Sequence, residues 1–308
     1  MRIVIAGGSG FIGQKLTELL LAKGHSIVIL TRMDRSATDS ISYVKWLEQG
    51  ANPEKELGDV DAVINLAGVS INNGRWNANH QKEIYESRMS ATAELLRIMT
   101  ALPKQPTVLI NASAIGIYPA SFDARYTEES TARATDFLAK TVSDWEENAR
   151  KVEEHSVRVV TMRFGVVLGN TGGALPLMVL PYKLFVGGTV GSGKQWVSWV
   201  HVKDVARSIL FAIEHSNISG AVNVTSPVPV RMRQFGQTIG TVLHRPHWFP
   251  VPSMIMRIVL GKKSALVLEG QQVIPTVLMQ EGFEFMFPSL HDALEDLLVI
   301  NKMKDFIF

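Results

Sequence analysis

The sequence predicts an α/β fold: a Rossmann-type, doubly wound parallel sheet with a small C-terminal substrate lobe. Strand-like and helix-like patterns alternate through the first half of the chain, as they do where a parallel sheet is covered on both faces. A cluster of glycines, Gly7-Gly8-Ser9-Gly10-Phe11-Ile12-Gly13, stands between the first strand pattern and the first helix pattern. With 308 residues, 46% of them hydrophobic, the chain can bury a core large enough for one α/β domain and a lobe.

The elements follow in order. Ile3 to Ala6 is a short apolar strand, Phe11 to Ala22 has helical spacing, Ser26 to Leu30 is a second strand and Val60 to Leu66 a third. Asn77 to Leu102 reads as a long helix with Ile84, Ala91, Leu95 and Ile98 inward. Thr107 to Ala112 is a strand, Ala134 to Glu154 a helix and Val157 to Phe164 a Val-rich strand. Residues 1–165 are thus expected to form the dinucleotide-binding core. Beyond them Gly and Pro become frequent, and helix patterns return at Val202 to His215 and Arg233 to Leu243. Residues 166–308 are expected to complete the sheet and build the substrate lobe, with a separate C-terminal piece over about 251–308.

Composition narrows the function. The charge is nearly balanced, 31 basic against 29 acidic residues, so no nucleic-acid partner is expected, while small anionic ligands stay open. There is no cysteine, which excludes disulfides, thiolate metal sites and cysteine nucleophiles. The eight histidines are scattered without ligand spacing, and no metal site is expected. The first residues read as a strand, not a signal peptide, and the most apolar late segment, Val251 to Leu268, is interrupted by Arg257, Lys262 and Lys263. A soluble, cytoplasmic protein without a membrane partner is the expectation.

The glycine cluster carries the ligand prediction. Gly7 suits a tight turn, Gly10 lets backbone approach a pyrophosphate, and Gly13 lets helix pack on strand. The helix end starting at Phe11 and Ile12 then offers free N–H groups to the phosphates. At the end of the second strand an NAD site places an acid to hold the ribose hydroxyls. Here Thr31-Arg32 stand there instead, and the nearest acid, Asp34, comes later. Arg32 offers a fork suited to a 2′-phosphate, so NADP is predicted over NAD. Asn65-Leu66-Ala67-Gly68 closes the third strand with small residues where backbone could meet a ligand, although Ala-Gly is also an ordinary turn.

These residues resemble the short-chain dehydrogenase/reductase superfamily in its extended, sugar-nucleotide-epimerase-like branch. The same likeness runs through Ser113 to Tyr118, Arg163-Phe164-Gly165 to Gly169, and Trp199-Val200-His201-Val202-Lys203-Asp204-Val205. Gly74-Arg75-Trp76, Ser87-Arg88, Gly191-Ser192-Gly193-Lys194-Gln195 and the segment from Pro252 to Leu294 are similar to a narrower epimerase-like family with a C-terminal domain of unknown function. The resemblance implies a Tyr and a Lys four residues apart on one helix as the acid–base pair, with a Ser or Thr holding the substrate oxygen. No Tyr in this chain has a Lys at that spacing, and the corresponding positions are Leu138 and Val142.

The remaining candidates are therefore Ser113, as the group polarising a substrate oxygen or as a turn cap, and Tyr118, the nearest phenol. Glu128 and Lys140 read as exposed. Arg88 falls on the inward stripe of its helix and needs an anion there, either a ligand phosphate or carboxylate or a structural acid. Arg75 and Gln195 are the candidate substrate contacts. The function that follows is an NADP-binding oxidoreductase or epimerase-like protein acting on a small polar substrate. The alternative is a non-catalytic NADP-binding redox sensor or partner-docking protein.

Overall fold

A computed structural model describes residues 1–74 and 76–300. Seven parallel strands form the main sheet: β1 (Arg2–Ala6), β2 (Ser26–Thr31), β3 (Ile41–Lys45), β4 (Ala62–Asn65), β5 (Val108–Ala114), β7 (Arg158–Phe164) and β11 (Gly220–Val224). Their order is β11-β7-β5-β4-β1-β2-β3. Short strands lie outside it: β6 (Arg125–Tyr126), β8 (Val166–Leu168), β9 (Trp196–Val197), β10 (Trp199–His201), β12 (Val230–Arg231) and β13 (Gln272–Val273). β8 pairs with β10, β9 with β12 and β6 with β13.

The helices are α1 (Phe11–Ala22), α2 (Glu54–Leu57), α3 (Ala78–Ala101), α4 (Phe137–Arg150), α5 (Leu175–Lys183), α6 (Val202–Glu214), α7 (Met232–Leu243), α8 (Ser253–Leu260), α9 (Ala265–Leu268), α10 (Thr276–Gln280) and α11 (Leu290–Glu295). Asn77 and Asp136 set the starts of α3 and α4, each accepting a backbone N–H three residues on, from His80 and Ala139.

Alternation along each strand builds two cores. Ile3 and Ile5 face one side, where Leu16 and Leu20 of α1 and Ile209 of α6 cover them. Val4 and Ala6 face the other, against Leu95 and Ile98 of α3. Each such side chain contributes about 1.5–3 kcal/mol by leaving water. A third cluster joins α5, α7 and α11 through Tyr182, Phe235 and Leu294.

The strand order reverses between β1 and β4. In such sheets the crevice outside the carboxyl ends of the two diverging strands receives the ligand. The register pairs Ala6 with Asn65, so Gly7 and Leu66 leave the sheet side by side at that point.

Candidate functional site

Gly7 has φ +82°, and a Cβ there would meet the Leu66 carbonyl oxygen at 2.6 Å. At Gly13 a Cβ would meet the Gly7 carbonyl oxygen at 2.3 Å, so helix and loop touch backbone to backbone. Gly10 differs: its Cβ would meet only the Gly7 oxygen, at 3.2 Å, leaving its outer face open. The first intrahelical bond of α1 runs from Gln14 N–H to the Gly10 carbonyl at 2.9 Å. Phe11, Ile12 and Gly13 therefore present N–H groups without helical acceptors. No acid occupies that first turn, so nothing neutralises the positive helix end. This cradle fits a dinucleotide pyrophosphate.

The Phe11 ring turns away from that opening. Cβ atoms at Gly169 and Gly172 would meet it at 2.4 and 2.7 Å, so a second glycine loop, at the end of β8, folds directly onto it. Phe11 ties this loop to the start of α1, a packing role that the sequence pattern did not reveal.

At the end of β2, Thr31 Oγ1 accepts the Met33 N–H at 3.1 Å, and Arg32 is exposed without an ion pair among the described residues. Asp34 is held by Lys45 of β3 at 2.8 Å. Asp34 is thus engaged, while Arg32 has no such partner among the described residues.

Beyond β4, Ala67 N–H donates to Asn65 Oδ1 at 3.2 Å, fixing the turn through Leu66 and Ala67. Gly68 lies on Arg88, whose guanidinium carbon would be 3.2 Å from a Cβ there. Arg88 Nη1 donates to the carbonyls of Val69 (3.1 Å) and Ile84 (2.9 Å). No carboxylate pairs with it among the described residues, and burial lowers its pKa to about 10.

Both catalytic candidates are buried and hydrogen-bonded within the protein. Ser113 is 2% exposed and donates to Glu146 Oε1 at 2.6 Å. Glu146, itself buried, takes both forks of Arg163 at 2.7 and 2.8 Å. Tyr118 has no exposed surface, and its hydroxyl lies between Arg163 Nη1 (2.8 Å), Asn223 Oδ1 (3.0 Å) and the Thr127 carbonyl (3.1 Å). Burial pushes the phenol up, with Arg163 opposing. Both side chains belong to a buried network that locks β5, β7 and β11 together.

Gln195 is also held by backbone carbonyls. It is buried, its amide donating to the Val190 and Val267 carbonyls at 3.0 and 2.9 Å, which pins the glycine loop to α9. Glu128 is half-buried, not exposed, and accepts backbone N–H groups from Asn223, Thr276 and Val277. Lys140 is solvated and paired to Asp144 at 2.7 Å. Asp204 anchors the C-terminal segment by accepting the N–H groups of Met286 and Phe287. Arg75 lies outside the described residues. His291, Asp292 and Glu295 bring ligand atoms within 4.8 Å of one another on an exposed surface, away from the crevice.

Where the superfamily's acid–base pair would stand, Val142 packs into a cluster with Ile115, Ile117 and Tyr126. Leu138 lies against Gly116, its Cβ 3.7 Å from where a Cβ would be. These positions are hydrocarbon.

The model of the NAD dependent epimerase/dehydratase family matches residues 3–225. This chain belongs to that family. A domain of unknown function, DUF1731, matches residues 251–297 of this epimerase-family chain. It is 46% identical over 303 residues to the epimerase family protein YfhF of Bacillus subtilis, covering 98% of this chain and 99% of that one. It is also similar to the crystal structure of human epimerase family protein SDR39U1 (isoform 2) with NADPH, at 35% identity and a TM-score of 0.88, over 96% of this chain and 99% of that one. MoeE5 in complex with UDP-glucose and NAD shares the fold at 17% identity and a TM-score of 0.78, over 99% of each chain.

Proposed function

We infer that this epimerase-family protein binds NADP and transfers hydride between it and a small polar substrate. The observation that carries the cofactor choice is the end of β2: Arg32 is exposed and has no ion pair among the described residues, while Asp34 is bound to Lys45. A carboxylate free to take ribose hydroxyls is missing there, and a guanidinium fork for a 2′-phosphate is present. The human relative solved with NADPH supports the same choice.

The nicotinamide, when bound, supplies the hydride acceptor or donor. The chain's own residues do the rest. Backbone N–H groups of Phe11, Ile12 and Gly13 hold the pyrophosphate against the positive end of α1. Arg88, beneath Gly68, places a desolvated positive charge on the β4 side of the crevice, where it orients an anionic group of cofactor or substrate. Leu138 and Val142 exclude water from the wall opposite and hold no proton. Epimerisation through a Tyr–Lys pair is accordingly not part of this reading.

The test is a fluorescence titration of the purified protein with NADPH and NADH, followed by a screen of aldehydes, ketones and sugar nucleotides for loss of the reduced nicotinamide absorbance. NADPH is expected to bind at least ~10-fold more tightly, a difference of about 1.4 kcal/mol. Equal affinities would remove the cofactor assignment. Tight NADPH binding with no hydride loss across the screen would remove the hydride-transfer assignment.

A further inference from the structure

The segments that build one face of the substrate lobe are rich in exposed apolar residues and free of acids. No Asp or Glu occurs from His155 to Lys203 or from His215 to Leu268. The second of these segments carries Arg231, Arg233, Arg245, Arg257, Lys262 and Lys263.

The apolar residues on this face form a connected ridge. Leu184 and Phe185 follow α5 at 63% and 53% exposure, and Trp248 and Phe249 stand out at 72% and 61%. The N–H groups of Trp248 and Phe249 both donate to the Gly187 carbonyl at 3.0 Å, and Trp248 Nε1 donates to the Phe185 carbonyl at 3.0 Å. The Arg245 guanidinium lies 4.4 Å from the Phe185 ring centroid. Val251, bridged to Val190, leads straight into α8. In α8 the residues Met254, Ile255, Ile258 and Val259 form an outward stripe, Met256 and Leu260 are half-buried, and no residue is fully buried. Arg257 flanks that stripe and Lys262 follows it, both exposed.

A contiguous apolar surface of this kind marks an interaction site. Its charges say which kind. A two-fold contact with a second copy would bring Arg245, Arg257 and Lys262 of both copies together with no acid among them to compensate. An anionic bilayer surface satisfies both features, with acyl chains for the Trp248 and α8 stripes and phosphates for the flanking cations. Tryptophan and aromatic side chains also favour the headgroup level. We propose that this face, from the end of α5 through Trp248 and Phe249 to α8, docks peripherally on an anionic lipid surface. No described helix is long and apolar enough to cross a membrane, and a surface contact needs none. The docking is independent of the hydride-transfer reading.

The experiment is sedimentation of the full-length protein with vesicles of phosphatidylcholine alone or mixed with phosphatidylglycerol, at low and high salt. Binding to the anionic vesicles is expected, weakened ~10-fold or more by high salt or by removing the anionic lipid. A blue shift of tryptophan emission on vesicle addition should vanish in Trp248→Phe. The double variant Ile258→Glu, Val259→Glu should lose the vesicles yet unfold at the wild-type temperature, because both side chains are exposed. Protein left in the supernatant with anionic vesicles overturns the proposal. So does equal binding to neutral vesicles, or unchanged binding by the double variant. A dimer that this variant dissociates, with no vesicle binding by wild type, also overturns it and assigns the face to a second copy.

Discussion

The Arg88 guanidinium lies 5.0 Å from the centroid of the Trp145 ring, with no carboxylate paired to it among the described residues. Trp145 is itself fixed, its Nε1 donating to Thr92 Oγ1 at 2.9 Å, and Thr92 accepts from Asn65 Nδ2 at 3.0 Å. The ring therefore holds the cation from behind, through a polar chain that reaches the end of β4. A cation desolvated in this way gains only from the quadrupole of the ring and two carbonyls. A bound anion would complete its surroundings.

Replacing Arg88 by Met separates ligand binding from folding. Met keeps the hydrocarbon beneath Gly68 and removes a charge that burial disfavours. The free protein should unfold within a few degrees of the wild-type temperature, because the two hydrogen bonds to carbonyls are lost while the cost of burying the charge is relieved. NADPH affinity should fall about 10-fold, or ~1.4 kcal/mol. Thermal unfolding with and without NADPH measures both. A sharp loss of stability in the free protein with unchanged affinity would make Arg88 a structural residue.

For Arg32→Ala the expected loss is confined to one cofactor. A charged hydrogen bond to the 2′-phosphate is worth about 1.5–3 kcal/mol, so NADPH should bind roughly 10- to 150-fold more weakly. NADH, lacking that phosphate, should bind as before. Parallel loss of both cofactors in the titration would show that Arg32 shapes the loop and does not read the phosphate.

The parts legible in the sequence are those decided by neighbouring residues. Gly7, Gly10 and Gly13 announce their turn because the constraint is backbone against backbone within a few positions. The strands β1, β2, β4, β5 and β7 show in their apolar runs. The edge strand β3 was missed because Ile41-Ser42-Tyr43-Val44-Lys45 is half-polar and follows the polar stretch from Asp34 to Ser40. The surroundings of Ser113 are hidden for a different reason. On a strand, a shift of one residue exchanges the two faces. Ser113 shares a face with Asn111 and Leu109 toward α4, and half-exposed Ala114 takes the other face. Glu146, Gln195 and Glu128 find partners up to 149 residues away or bind across loops, which no local pattern encodes. A buried Glu at the inner stripe of a predicted helix was the available signal for the Ser113–Glu146–Arg163 network.

That network makes the role of Ser113 testable. Ser113→Ala removes one hydrogen bond to a charged group and should cost about 1.5–3 kcal/mol of stability. Any hydride transfer by the folded protein should persist within about threefold, below the tenfold that 1.4 kcal/mol of lost transition-state contact would produce. Glu146→Gln leaves Arg163 buried beside a neutral partner and should cost more, about 3–5 kcal/mol. Urea unfolding alongside a turnover assay reads all of these. A Ser113→Ala protein that is stable but inactive would restore the hydroxyl to the reaction.

His201 makes the fold sensitive to acid. Its ring is buried, stacked on Phe287 at 4.0 Å, and Nδ1 accepts the Lys203 N–H at 3.0 Å, so the ring proton sits on Nε2. Nε2 lies 3.2 Å from the Asp296 carboxylate. Burial pulls the imidazole pKa down to about 4, against the attraction of Asp296. In the unfolded chain it titrates near 6.5. Between those values the unfolded state holds a proton that the folded state refuses, so stability falls as the pH drops. The contribution is fully present above pH 6.5 and is lost on the way to pH 4, by on the order of 3 kcal/mol. His201→Asn keeps an acceptor for the Lys203 N–H and does not titrate. Its urea midpoint should therefore decline less steeply over that range than the wild-type midpoint. Parallel declines would mean that His201 is already protonated in the folded protein, paired to Asp296.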